Sequence, residues 1–438
     1  MRAWSIVGPF AGAALVALAW PVTVSAQAAA AAQPAAAAQV PPAAHLNMAS
    51  AVSLALAHNH QLIATRLSVD ISKADEITAH LKPNPVATST NENFPVFSPS
   101  QLTLDNIANN QNYVESVGYL FERGGKREKR TLVAQDTTTV ATHTAKDAER
   151  QLVFQTAQAF INVLLAKSTL QLAQQDLQNF ANVVDVNQQR VTAGDLAEAD
   201  FFKISLQKLQ FEQDVSNAEV ALVQAKTALR LNVGLDAVAE DFDVDGDLAH
   251  TKYTASLDDL TRDAVATRPD LLAAQQSTKL AEDTHALDIS NRALDVTGEV
   301  EYDRAGSLNA LGFGISIPIP IHDRNQGNIA HSQIAIHQAS EQEAQAHSTV
   351  LTDVSGAFAT YQTNEKILGM FESGYLDQAR QSLDISNYVY QQGNGNLLDL
   401  LDAERTYRAT ELAFRQALAA YMTSVEQINF VVGKQVMQ

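Results

Sequence analysis

Between Gly125 and Gly194 lie 68 residues with neither Gly nor Pro, and Pro is absent from 100 to 268. Within this Pro-free stretch, and again near the C-terminus, apolar positions step by three and four. Phe154, Ala157, Ile161 and Leu164 form one such seam. Val215, Ala218, Leu222, Ala225 and Leu229 form a second, and Phe414, Leu418, Tyr421, Val425 and Ile428 a third. A 3.5-residue period is the mark of helices packed side by side. A helix of about 65 residues would be about 100 Å long, several-fold longer than a helix in an ordinary globular domain. The pattern predicts helices near 47–81, 125–189, 196–231, 257–290, 326–389 and 397–431.

Two stretches change period. Leu294, Val296, Gly298, Val300 and Tyr302 alternate with Asp295, Thr297, Glu299, Glu301 and Asp303. Leu311, Phe313, Ile315, Ile317, Ile319 and Ile321 alternate with Ala, Gly, Ser and Pro. This period of two predicts a hairpin over 294–321 with one apolar face and one acidic or very small face. A weaker hairpin is expected over 84–122, where Tyr113, Glu115, Val117, Tyr119 and Phe121 mostly alternate. Such two-faced strands suit a wall between lipid and water, and Asp295, Glu299, Glu301 and Asp303 would then line the lumen. Four strands cannot close a barrel, and an open edge cannot stand in hydrocarbon. Transmembrane strands in this chain therefore require several copies to share one barrel.

The chain also repeats itself. Gly194, Asp200 and Gly234 recur 199 residues later as Gly393, Asp399 and Gly433. Each half thus reads as helix, hairpin, long helix, second helix, over 45–234 and 257–433. An acidic, turn-rich connecting segment over 235–256 joins them, and 434–438 forms a C-terminal tail.

Composition narrows the class. Residues 1–26 read as a signal peptide, with Arg2, an apolar run and Val24-Ser25-Ala26 as the cleavage site. Residues 27–44, nearly all Ala, Pro and Gln, read as a linker. There is no Cys, so no lipid is attached through an N-terminal Cys, and the formal net charge of −19 argues against nucleic acid.

With these features in place the chain resembles the TolC family of outer-membrane efflux channels over nearly all of 47–433. Glu122-Arg123-Gly124-Gly125-Lys126-Arg127 and the run Ile317–Asn328 resemble its heavy-metal, CzcC-like branch. The resemblance implies a membrane α+β fold: a homotrimer whose four strands per chain close a twelve-stranded barrel, continued by an α-helical coiled-coil barrel in the periplasm. It also implies outer-membrane localisation and two partners, a periplasmic adaptor protein and an inner-membrane RND pump. The expected function is passive export of heavy-metal cations, with no cofactor. A drug or solvent channel of the same fold, or a soluble periplasmic scaffold, are the alternatives.

Site residues follow in part from the residues and in part from the resemblance. Gly194, Gly393 and Gly395 occupy helix-to-helix turns that in the family would be adaptor-docking tips. Asp399 and Asp402 share a helical face and match the paired aspartates of the family's narrow entrance. Tyr390 and Asp200 match two members of the family's closing latch, whereas the family's Arg position is Gly395 here. Arg123, Lys126, Arg127, Lys129 and Arg130 cluster at a helix start, against the macrodipole, and are assigned to headgroups at the membrane rim. Histidines 322, 331, 337 and 347 have spacings that place no two on one helical face as metal ligands. No nucleophile–base pair or phosphate loop is present, so no enzymatic activity is expected.

Overall fold

The computed structural model describes residues 43–437, apart from 93–96, 99, 101–102, 104, 106–111 and 307. The signal peptide and most of the Ala/Pro linker lie outside the described residues.

The chain opens with β1 (Ala43–Leu46), α1 (Met48–His58) and α2 (His60–His80). A strand pair follows, β2 (Val86–Glu92) and β3 (Asn112–Phe121). The long α3 (Lys126–Ala193) and α4 (Glu198–Val233) complete the first half. After β4 (Val238–Val244) the order repeats: α5 (Leu257–Thr267), α6 (Pro269–Ser290), β5 (Val296–Ala305) and β6 (Leu308–Ser316). The second half ends with α7 (Gln326–Met370), α8 (Leu376–Gln391) and α9 (Leu397–Val432).

Local chemistry accounts for the breaks the periodicity did not mark. Asn59 ends α1 with extended φ/ψ and caps α2, accepting from the Leu62 N–H at 3.0 Å. Arg268 is likewise extended between α5 and α6 but makes no side-chain cap; Pro269 at the first helical position disfavours a helical conformation for the residue before it. The helix expected over 326–389 is interrupted by a π turn at Phe371–Tyr375, where Gly374 has φ 116°. Strand β6 stops at Ser316, because Pro318 and Pro320 offer no N–H to a ladder.

The duplication is physical as well as textual. Asn59 Nδ2 donates to the Asn232 carbonyl at the end of α4, and Thr267 Oγ1 donates to the Val432 carbonyl at the end of α9. The third Gly of each repeat closes the same joint. A Cβ on Gly234 would lie 3.2 Å from the His58 carbonyl oxygen, and one on Gly433 would lie 3.3 Å from Arg268 Cα. Both glycines have positive φ, 105° and 81°, so the position demands Gly on two counts.

Each half has its own core. Leu46, Leu62, Phe160, Val163, Leu229 and Phe242 are buried in the first. Leu271, Val354, Tyr361, Leu368, Tyr421 and Ile428 are buried in the second. The acidic tract 235–256 contributes to the first core: β4 pairs parallel with β1 and buries Val238, Phe242 and Val244. The tail also folds back, since the Val436 and Met437 N–H groups both donate to Asn429 Oδ1 at 2.9 Å.

Candidate functional site: sheet, junction and paired turns

One four-stranded antiparallel sheet, in the order β2-β3-β5-β6, joins the two halves. Its centre is the β3–β5 ladder, with Val117 opposite Val300 and Gly118 opposite Glu299. Strand β6 continues the register, placing Gly314 opposite Glu299, Phe313 opposite Val300, Gly312 opposite Glu301 and Leu311 opposite Tyr302. Because side chains alternate along a strand, one face carries Val117, Tyr119, Val300, Tyr302, Leu311, Phe313 and Ile315. Leu311, Phe313 and Ile315 are 70–82% exposed on it. The opposite face carries Glu299, Glu301 and Asp303, flanked by Ser116, Gly118, Gly312 and Gly314. A Cβ on Gly312 would stand 3.6 Å from that of Glu301, so the carboxylates rise from a floor of very small residues.

Asp295 is placed differently. It precedes β5 and is engaged at the strand-to-helix junction, accepting from the Arg123 N–H at 2.9 Å and from Lys126 Nζ at 2.8 Å. The ion pair and the N–H hold its carboxyl below the usual carboxylate range, against the opposing effect of burial.

That junction also redistributes the basic cluster. Lys129 Nζ donates to the Ala286 carbonyl at 3.1 Å. Arg130 binds Glu122 at 2.7 Å and the Ala79 and Leu81 carbonyls. Arg127 pairs with Glu128 at 3.2 Å. The cations at the N-terminus of α3 are therefore offset by Asp295, Glu122 and Glu128 and by carbonyls ending α2. Of these five cations Arg123 alone is exposed, and the others are half-buried. The sequence shows the run of charge but not its partners, two of which, Asp295 and the Ala286 carbonyl, come from the other half of the chain.

At the far end of α3 the two helix-to-helix turns meet. Gly194 ends α3 with φ 83°, and Gly393 follows α8 with φ 74°, each a left-handed C-cap. Leu397 and Leu401 of α9 pack on a cluster of Phe180, Ile204 and Phe211 from α3 and α4. Tyr390, the last buried residue of α8, donates from Oη to Asn187 Oδ1 on α3 at 2.6 Å. The Arg190 guanidinium stands 5.3 Å over the Tyr390 ring. Gly395 has no room for a side chain, since a Cβ would fall 2.8 Å from the Tyr390 backbone nitrogen. The guanidinium that accompanies this tyrosine thus comes from α3, and neither Asn187 nor Arg190 is marked by the repeat pattern.

The acidic residues at this end are exposed. Asp399 lies in the first turn of α9, and Asp402 pairs with Arg405 at 2.6 Å. Asp200 pairs with Lys203 at 2.8 Å. Such exposed i,i+3 pairs contribute little to stability, so these carboxylates remain available to a ligand or a neighbouring chain.

A buried charged group higher in the same helices has no counterpart in the sequence reading. Asp176 on α3 is 8% exposed and sits beside Glu404 and Arg408 of α9. The Arg408 guanidinium binds Asp214 of α4 at 2.7 Å and reaches Asp176 only at 4.0 Å. Burial raises Asp176 to about 6 and Glu404 to about 7. Three separate helices supply these groups, so no local motif announces them.

Among the described residues no three His, Asp or Glu side chains gather as a metal site. Histidines 322, 331, 337 and 347 are all exposed. No described helix is long and apolar enough to cross a membrane.

The chain is similar along most of its length to known proteins. The cobalt-zinc-cadmium resistance protein CzcC of Cupriavidus metallidurans is 23% identical over 395 residues, covering 88% of this chain and 89% of that protein. The cation efflux system protein CusC of Escherichia coli K12 is 24% identical over 276 residues, 59% of each chain. The crystal structure of the Campylobacter jejuni CmeC outer membrane channel superposes with a TM-score of 0.75 at 13% identity, covering 89% of this chain and 87% of that one. Residues 260–434, most of the second half, match the family described as outer membrane efflux protein.

Proposed function

We propose that the protein is the outer-membrane export duct of a tripartite efflux system, that three copies form the duct, and that its cargo is heavy-metal cations. The observation that carries the duct is the four-stranded sheet. Its outer strands β2 and β6 pair on one side only among the described residues, and its two faces differ in the way a lipid–water wall requires. Pairing β6 of one copy with β2 of the next satisfies both edges without an exposed ladder. Three copies give a twelve-stranded barrel with Glu299, Glu301 and Asp303 turned to its water-filled interior. Helix surfaces support the same assembly: Leu67 and Ile71 on α2, and Leu206, Leu209 and Val223 on α4, are apolar and more than half exposed in the single chain.

In this reading the paired turns at Gly194 and Gly393 form the periplasmic tip that meets an adaptor protein, and Tyr390, Asn187 and Asp200 hold that tip closed. Three copies bring six carboxylates, Asp399 and Asp402, to one opening. Converging like charges raise their affinity for cations. Energy comes from an inner-membrane pump, and the duct itself is passive. A metal cargo is supported by the acidic lumen and by the names of CzcC and CusC.

The experiment has two parts. Outer-membrane fractionation and planar-bilayer conductance of the purified protein test the duct; a soluble monomer without conductance sinks it. Deletion of the gene, with growth measured on cobalt, zinc, cadmium, silver and a set of hydrophobic drugs, tests the cargo. Sensitivity to drugs alone would replace metal cations with organic solutes.

A further inference from the structure

The strand-to-helix junction of the second half differs from its counterpart in the first half in how its cations are partnered. At the first junction Lys126, Lys129 and Arg130 are engaged by Asp295, a helix carbonyl and Glu122. At the second junction Arg292, just after α6, and Arg324, just before α7, line one hollow of about 700 Å³ together with His322. Among the described residues neither guanidinium makes an ion pair. The nearby carboxylates are occupied: Asp323 Oδ1 accepts from the Asn325 N–H at 2.8 Å, and Asp295 is held by Lys126.

The segment bearing Arg324 is fixed rather than loose. Asn325 adopts a left-handed φ of 61°, and its side chain donates to the Asp288 carbonyl at 2.7 Å. Gln326 braces the other side, accepting from the Arg324 N–H at 2.7 Å and donating to the His322 carbonyl at 3.0 Å. Directly before it, Ile317, Ile319 and Ile321 are 47%, 80% and 67% exposed. They continue the apolar face of Phe313 and Ile315 beyond the end of β6. Apolar surface therefore gives way to His322 and Arg324 within three residues. That is the polarity step found between the acyl chains and the headgroups of a bilayer.

We propose that the hollow between Arg292 and Arg324 binds the phosphate of an anionic phospholipid in the periplasm-facing leaflet of the outer membrane, with the acyl chains lying along Ile319 and Ile321. The inference rests on the duct reading and adds a lipid site to it. Arginine suits the task because its planar donors match phosphate oxygens two at a time. The site anchors the second junction of each chain to the headgroup layer, while the first junction is closed by its own salt bridges.

The test is native mass spectrometry of the full-length protein purified in detergent and titrated separately with phosphatidylglycerol, phosphatidylcholine and inorganic phosphate. The wild type is expected to retain phosphatidylglycerol in preference to phosphatidylcholine. Removing a headgroup cation weakens binding about fivefold, so Arg292→Gln/Arg324→Gln should lower phosphatidylglycerol affinity about twenty- to thirtyfold. Arg324→Gln alone should lower it about fivefold. Arg262→Gln, which removes an exposed cation of α5 paired with Asp259, should leave it unchanged. Equal retention of both lipids, or of phosphatidylglycerol by wild type and variant, overturns the proposal, as does inorganic phosphate binding as tightly as the lipid. Loss of the trimer in both the single and double variants would mean that a second copy fills the hollow, and also overturns it. Absence of the wild type from the outer-membrane fraction would instead defeat the duct reading.

Discussion

The Tyr390 hydroxyl donates to Asn187 Oδ1 at 2.6 Å, joining the ends of α8 and α3 across 203 residues of sequence. Asn187 is fully buried, and its other polar atom, Nδ2, donates to the Val183 carbonyl at 2.7 Å. The link therefore satisfies an amide that has no access to water. Removing only the tyrosine hydroxyl leaves Asn187 Oδ1 without a donor, which costs about 1–3 kcal/mol for a buried polar group. Tyr390→Phe should accelerate hydrogen exchange around 183–190 and 386–392 by about tenfold to a hundredfold while protection near Phe160 stays unchanged. Asn187→Leu combined with Tyr390→Phe should recover part of the loss, because the orphaned acceptor is gone. Exchange at the tip equal to wild type in the single variant would show that the bond carries no stability.

Gly395 and Gly194 occupy corresponding turns but constrain them differently. A Cβ at Gly395 would meet the Tyr390 backbone at 2.8–3.0 Å, whereas one at Gly194 meets nothing within 4 Å and suffers only the positive φ of 83°. Gly194→Ala should cost about 1 kcal/mol of local stability. Gly395→Ala has to move backbone, so it should displace Tyr390 and open the tip further than Tyr390→Phe does. In bilayers Gly395→Ala is expected to raise mean conductance above that of Gly194→Ala. Equal conductance of the two would mean that the close approach of Gly395 to Tyr390 does not hold the tip.

Much of this architecture was legible because long periodic elements write their period into the sequence. The breaker-free run before Gly194 gave α3 within a few residues, and alternation over 294–321 gave β5 and β6, although β6 ends at Ser316. Features that depend on distant partners were not legible. Asp295 has the parity of a lumen residue, yet Lys126 and the Arg123 N–H claim it from 169 and 172 residues away. The acidic tract after Gly234 reads as linker because Glu240, Asp241 and Asp243 dominate it. Val238, Phe242 and Val244 are buried all the same, by a strand formed from the end of an Ala-rich stretch. Asn59 and Arg268 are not helix breakers by composition. They break helices because their side chains cap, or bind across to, other helices.

Arg268 is 3% exposed and binds Asp270 at 2.6 Å and Asp353 at 2.9 Å, tying α6 to α7 where the second half bends. Its α-carbon also underlies Gly433, 3.3 Å from a would-be Cβ there. Arg268→Met keeps the packing volume but strands two carboxylates. Breaking a buried pair costs about 3–5 kcal/mol, and the lower end applies here because both carboxylates keep some contact with water. The variant should lower Tm by several degrees and reduce the yield of assembled protein. Arg262→Met, whose pair with Asp259 is exposed, should change neither. A melting temperature for Arg268→Met within error of wild type would remove the network from any role in stability.

Asp176 and Glu404 give the helical wall a pH response in the neutral range. Burial is the largest cause of both upward shifts; Glu411 and Asp214 add to it at Asp176 and Asp176 adds to it at Glu404, while Arg408 opposes both and Arg415 opposes the shift of Asp176. A carboxyl whose folded proton affinity exceeds its unfolded value stabilises the fold below the ordinary carboxylate range. That contribution fades as pH rises through the folded value. With folded values of about 6 and about 7, stability should fall between about pH 4 and 7 as two carboxylates ionise around one guanidinium that Asp214 already holds at 2.7 Å. The shared position of Asp176, Glu404 and Arg408 places this loosening between α3 and α9, directly above the Phe180 cluster that supports the tip. Glu404→Gln removes the later-titrating group and should flatten the upper part of the profile, and Asp176→Asn the lower part. The measurement is Tm against pH for wild type and both variants, with hydrogen exchange locating the change. A wild-type profile that is level from about pH 4 to 7, or one that both substitutions leave intact, would show that these carboxyls do not titrate with the fold.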